Sequence, residues 1–203
     1  MTYGVETRTG PTYTFRVRVR AGLYAWQANG DVWRDIVIAA DQSMYALAMT
    51  ILDAFDFDND HMSSFYMSGK RGDRYTEIIV AGGSPEPSFS IFPFGLFRAT
   101  PNNWPVPPPR YAAETLVRDA GLPAKPSKKE FLYLFDFGDN WEFGIQLLAV
   151  TDAVDERAIY PRIVAALGDP PPQYGGDQPF FDDADVDDLD DYGEGILLPF
   201  PRT

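Results

Sequence analysis

Cysteine is absent from this 203-residue chain, and histidine occurs once, as His61. The first absence excludes a disulfide framework, thiolate chemistry and Cys-ligated metals. The second excludes a His-rich metal site. No apolar run approaches the roughly 18 residues that a membrane-spanning helix needs, and no charged-then-apolar leader is read at the start. Together these absences set the expectation of a cytoplasmic chain with no cofactor and no membrane partner. Also missing are the GxGxxG and Walker patterns of nucleotide-binding loops and the G-x-S-x-G elbow of hydrolases. No Ser-His-Asp or Cys-His arrangement can be assembled from what remains. Basic charge is short as well: 17 Lys and Arg face 30 Asp and Glu, a net charge of −13. Such a chain is repelled by phosphate backbones, so direct nucleic-acid binding is not expected. The acid excess has two readings. One is a solvated, solubilising surface. The other is a surface that addresses a basic protein partner.

What is present begins with alternation. Phe131, Tyr133 and Phe135 fall on one face of an extended run, and Trp141, Phe143, Ile145 and Leu147 on one face of the next. Period-two patterns predict two strands with one buried face each. Between them, Asp136-Phe137-Gly138-Asp139-Asn140 is rich in turn formers, which predicts an antiparallel hairpin. The run 13–20 alternates too, with Phe15, Val17 and Val19 inward and Arg16, Arg18 and Arg20 outward. That arginine row either blunts edge pairing or docks an anion, the chain's own acidic tail included. A second strand is predicted over 32–39. Asp41 or Ser43 can cap the helix that follows, whose apolar residues Met44, Leu47, Ala48, Ile51, Leu52 and Phe55 recur at helical spacing. A second, shorter helix is expected over 111–120 from the spacing of Ala112, Leu116 and Val117, with Gly121 to end it. Residues 154–167 are expected to hold a short helix broken at Pro161.

The predicted fold class is therefore α+β: a twisted, mainly antiparallel sheet, one long helix packed across it and a second shorter helix. A single domain is assigned to residues 1–180, with a proline-rich insertion at 81–110, and an acidic C-terminal tail to 181–203. The insertion carries too many aromatics for a plain linker, among them Phe94, Phe97 and Trp104.

Several blocks carry a resemblance to a known family. Phe135, Asp136, Phe137, Gly138, Asp139, Trp141 and Glu142 match the central signature of the plasmid pRiA ORF-three-like family, aromatic-Asp-Phe-Gly-Asp-any-Trp-Glu-His; these proteins are also described as transposon-passenger or MM-type. Phe143 stands where that signature has His. Residues 32–38 resemble the family's Trp-Arg strand. His61-Met62-Ser63-Ser64-Phe65 resembles its His-Leu-His-x-Phe block, with Ser63 in place of the second His. Residues 170–176 resemble its Pro-Pro-Glu-x-x-Gly-Gly tail, with Gln173 and Tyr174 at the positions of the usual acid and Cys. The resemblance covers most of residues 13–180. It implies a plasmid or transposon setting and brings no established activity.

Two sets of candidate residues follow. Asp136, Asp139 and Glu142 put three carboxylates within seven residues, enough to hold a divalent cation through oxygen or to act as an acid and base. In a hairpin, Asp136 and Asp139 can equally bond turn amides. His61, beside Asp60, is a second catalytic candidate or a hydrogen-bonded structural residue. The binding candidates are Asp182, Asp183, Asp185, Asp187 and Asp188 of the tail and Phe94, Phe97 and Trp104 of the insertion. The function expected from these is a non-enzymatic interaction module in a prokaryotic or mobile-element setting, whose acids engage a protein with a basic surface, in the sharper form by mimicking nucleic acid. The alternative is a divalent-metal-dependent enzyme working at the central turn. No oligomeric state is read from the sequence.

Overall fold

The computed structural model describes residues 10–28, 30–80, 107–152, 155 and 157–175. Within them lie eight strands: β1 (Thr12–Ala21), β2 (Trp33–Ala39), β3 (Ser63–Tyr66), β4 (Glu77–Val80), β5 (Arg110–Tyr111), β6 (Glu130–Phe135), β7 (Trp141–Thr151) and β8 (Arg162–Leu167). All eight join one sheet in the order β5-β4-β3-β6-β7-β1-β2-β8. Every pairing is antiparallel except β4 with β5.

The alternation that predicts the strands is what packs them. Phe131, Tyr133 and Phe135 of β6, Trp141, Phe143 and Ile145 of β7, and Phe15 and Val17 of β1 are buried on one face. They share a single core cluster with Met44, Leu47, Ala48, Ile51 and Leu52 of the helix α1 (Met44–Ala54). Tyr133 packs against Phe65 with ring centroids 4.6 Å apart, and Phe57 against Trp141 at 4.7 Å. Such offset and edge contacts add to the burial of the rings.

The expected fold class needs correction. The molecule is dominated by its sheet, and α1 is the one α-helix among the described residues. Ser43 caps it, its hydroxyl accepting from the Ala46 amide at 3.2 Å. The expected second helix over 111–120 is instead the two-residue β5, a turn and a single 3-10 turn at Val117–Asp119. Its backbone is committed elsewhere. The Met44 amide donates to the Thr115 carbonyl at 2.8 Å and the Tyr45 amide to the Ala112 carbonyl at 3.1 Å. These carbonyls satisfy two of the orphan N–H groups at the start of α1. The Val117 amide in turn donates to the Gln42 carbonyl at 2.8 Å. The expected helix over 154–167 is likewise replaced, by β8 on the edge beside β2.

The opposite face of the sheet carries charge. Arg16 meets Asp35 through two bonds of 2.7 Å and lies 3.8 Å over the Trp33 ring. Arg20 grips Glu130 at 2.5 Å, with Arg18 3.8 Å from the same carboxylate. Gly144 makes room for this pair: a Cβ there would stand 2.6 Å from a Glu130 oxygen and 2.7 Å from Arg20 Nε. Among the described residues, no helix is long and apolar enough to cross a membrane.

Candidate functional site

One end of the sheet gathers the chemistry. The register aligns Ser63 of β3 with Phe135 of β6, Phe135 with Trp141 of β7, and Glu142 with Ala21 of β1. The starts of β3 and β7 and the ends of β6 and β1 thus meet where the central turn, residues 136–140, closes the hairpin. Asp136 and Asn140 sit there at φ of +52° and +57°, in the left-handed region that Asn and Asp tolerate. The Asp136 carboxylate accepts from the Gly138 amide at 2.8 Å and the Asp139 amide at 3.3 Å. The Asn140 amide donates to the Asp136 carbonyl at 2.7 Å. Asp136 is buried, so this bonding is the work its carboxylate does for the turn.

The same carboxylate faces His61, whose Nε2 lies 3.4 Å from Asp136 Oδ2 and 3.7 Å from Asp60 Oδ1. Residues 173–174 close the group from the far end of the chain. The Gln173 side chain accepts from the Asp58 amide at 2.5 Å, and its Nε2 donates to Asp60 Oδ1 at 3.0 Å and to the Tyr174 hydroxyl at 2.9 Å. The Tyr174 hydroxyl donates to Asp60 Oδ2. Desolvation, and then the Asp60 carboxylate it serves, hold this phenol well above its ordinary pKa. Tyr174 therefore stays protonated as a donor.

Beside this polar group the chain exposes Leu23, Met62 and Phe137. Backbone bonds fix their places. The Leu23 amide donates to the Asp139 carbonyl at 3.0 Å, and the Asp136 amide to the Met62 carbonyl at 3.1 Å. Trp26, on the 3-10 turn Ala25–Gln27 just beyond Leu23, is more exposed still.

The candidate residues of the sequence thus separate. His61 and Asp136 come together. Glu142 leaves them for the charged outer face, where it lies 3.7 Å from Arg71. Asp139 contributes its carbonyl to Leu23. Among the described residues no group of three or more His, Asp or Glu is arranged to hold a metal ion. Asp182, Asp183, Asp185, Asp187, Asp188, Phe94, Phe97 and Trp104 all lie outside the described residues. Spacing does not point to Gln173 or Tyr174 as site residues. Their one trace in the sequence is the Pro-Pro-Pro-Gln-Tyr-Gly block. Two departures from the family pattern fall in the core: Ser63 accepts from the buried Tyr133 hydroxyl at 3.0 Å, and Phe143 packs among Phe55, Phe57 and Tyr133.

The outer face has a cleft of about 240 Å³ lined by Arg20, Gly69, Arg71, Glu130, Leu132 and Glu142. Its arginines are already paired, Arg20 with Glu130 and Arg71 with Glu142.

Comparison with known proteins gives a family and a fold. The family model described as plasmid pRiA4b ORF-3-like protein matches residues 17–185. Among solved structures, the crystal structure of a protein of unknown function from Methanosarcina mazei Go1 resembles the chain with a TM-score of 0.53 at 16% sequence identity, covering 79% of this chain and 72% of that one. At that identity the likeness is one of fold. No curated protein matches the chain.

Proposed function

The chain belongs to the plasmid pRiA4b ORF-3-like family, and from that premise we propose that it is a non-enzymatic protein-interaction module of a prokaryotic or mobile-element setting. Its working surface is the hairpin end of the sheet, and its partner is a protein with a basic surface. The observation that carries this reading is the pairing imbalance there. Asp58, Asp60 and Asp136 cluster around Tyr174, and among the described residues the basic side chain within 4 Å of Asp60 and Asp136 is the His61 imidazole, with no lysine or arginine paired to either. Exposed Met62 and Phe137 directly follow His61 and Asp136 in the chain, and exposed Leu23 is tied to the same turn through Asp139. Acids beside exposed apolar side chains suit a basic surface, because charge steers the encounter and apolar contact slows release. The net charge of −13 strengthens the steering, and Asp182, Asp183, Asp185, Asp187 and Asp188 of the tail extend the acid supply.

In its sharper form the carboxylates stand in for phosphates, and the partner surface is one that otherwise holds nucleic acid. A metal-dependent reaction at Asp136, Asp139 and Glu142 has less support, since Asp136 is bonded to turn amides and Glu142 faces Arg71.

The test is charge reversal. The double variant Asp58→Lys with Asp60→Lys is compared with Glu130→Lys on the outer face, each used as bait for proteins from a bacterial host lysate. The reading expects retained basic proteins to be lost with the first bait, kept with the second, and displaced from the wild type by added DNA if mimicry operates. Equal retention by both variants would remove the hairpin end as the binding surface.

A further inference from the structure

One strand breaks the pattern of the sheet. All six residues of β8 (Arg162–Leu167) are exposed, with Ile163 at 46%, Val164 at 49% and Leu167 at 50%. None of its side chains joins the core cluster. One side of β8 is bonded to β2. Its other side forms the edge of the sheet, with no partner among the described residues. Edge strands with free N–H and C=O groups template pairing, and proteins blunt them with charge, proline, bulges or brevity. The opposite edge follows that rule, because β5 is two residues long. In β8 the protection is slight: Arg162 at its first position and an irregularity against β2 between Asp35 and Ile36. From Ile163 to Gly168 the sequence IVAALG has no charge, in a chain of net charge −13.

We propose that β8 is a self-association strand, on which two copies of the chain pair antiparallel about a two-fold axis to join their sheets into one. Three observations choose a second copy as the occupant. First, the uncharged run is where two acidic chains repel each other least. Second, the strand's ends carry opposite charge. Arg162 opens it and Asp169 follows it, so two-fold antiparallel pairing carries the basic end of each copy toward the acidic end of the other, twice over. A parallel pairing would set like ends together. Third, Ile163 and Leu167 are half exposed, which leaves apolar area for the same residues of a second copy to cover. An interface of this kind is isologous, each copy giving the same patch.

The salt response separates this contact from the basic-partner binding proposed above, so that either can fail alone. Binding a basic partner weakens with salt; self-association tightens, because salt screens the repulsion between two acidic chains.

The experiment is sedimentation equilibrium of the full chain from low to high micromolar concentration, at low and high salt, with Val164→Lys and Ile163→Glu alongside. The β8 side chains lie outside the core, so both variants should keep the wild-type denaturation midpoint, and the second serves should the first misfold. The expected result is a monomer–dimer equilibrium that tightens with salt, and a dissociation constant raised at least about tenfold in each variant, the equivalent of about 1.4 kcal/mol. A wild type that stays monomeric throughout would overturn the proposal, as would a dimer indifferent to both substitutions. A monomeric full chain that dimerises once residues 193–203 are removed would also overturn it, by making the chain's own C-terminal segment the cover.

Discussion

On the outer face of the sheet, Asp35, Glu130 and Glu142 each meet an arginine; at the hairpin end, Asp60 and Asp136 meet one imidazole, and Asp60 also takes a phenol. The two regions are a few residues apart along β7 and use acid differently. On the face, opposite charges meet side by side, Arg16 with Asp35 on neighbouring strands and Arg20 with Glu130 across the intervening β7, contacts that fit register and solubility. At the end, the acids are held by backbone amides, a glutamine, a phenol and one imidazole, with no arginine bonded to either carboxylate among the described residues. The same end exposes Leu23, Met62 and Phe137.

The hairpin end is most easily broken at Asp136. Asp136→Ala removes two amide bonds from a buried carboxylate and leaves alanine at φ +52°. The expected loss is about 3 kcal/mol in urea denaturation, from charged hydrogen bonds and left-handed strain together. Asp136→Asn keeps an acceptor and suits that backbone, so its loss should be nearer about 1 kcal/mol. Stability unchanged in both would mean that the end is held by something other than this carboxylate.

Next comes the pair Asp58→Lys and Asp60→Lys. Binding of a basic partner, read by titration calorimetry, should fall at least about tenfold, while the denaturation midpoint moves by less than about 1 kcal/mol equivalent. A collapse of stability would make these acids part of the fold instead.

The phenols offer a pH test. On the outer face, burial and then Glu77 push the Tyr66 pKa up to about 12. A raised pKa means that the folded state holds the proton more tightly than the unfolded chain. The stability tied to that proton is full below about pH 10, where an unfolded tyrosine begins to ionise, and is lost as pH rises through 12. Denaturation midpoints should therefore fall across this window, and Tyr66→Phe should flatten the fall. Tyr174→Phe, at an exposed phenol, should flatten it less. The smallest effect belongs to the face: Glu130→Gln, at an exposed pair, should cost under about 1 kcal/mol and less in high salt.

How far the residues announce all this depends on distance in sequence. The strands around Phe15, Tyr133 and Phe143, and the helix from Met44, are legible because period two and period 3.6 are local properties of an element with one buried side. Residues 111–120 mislead because Ala112, Leu116 and Val117 are too few to define a helix, and the carbonyls of that segment serve α1 instead. In β8 the strand itself goes unread: IVAAL lacks alternation because neither of its faces is buried. Of the site, the carboxylates at 136, 139 and 142 stand out by composition, yet Glu142 turns to the opposite face, as alternation past Trp141 requires. His61 meets Asp136 only through the β3–β6 ladder, and Gln173 reaches Asp58 across most of the chain. No local pattern encodes such meetings.

Whether the acids at the hairpin end address a basic partner is read first in a native pull-down with the wild-type chain at low and at high salt, with mass spectrometry of what is held. Basic proteins should be retained at low salt and released at high salt, and lost when Asp58 and Asp60 are reversed to lysine. Retention that ignores both salt and reversal would contradict a basic partner at this end.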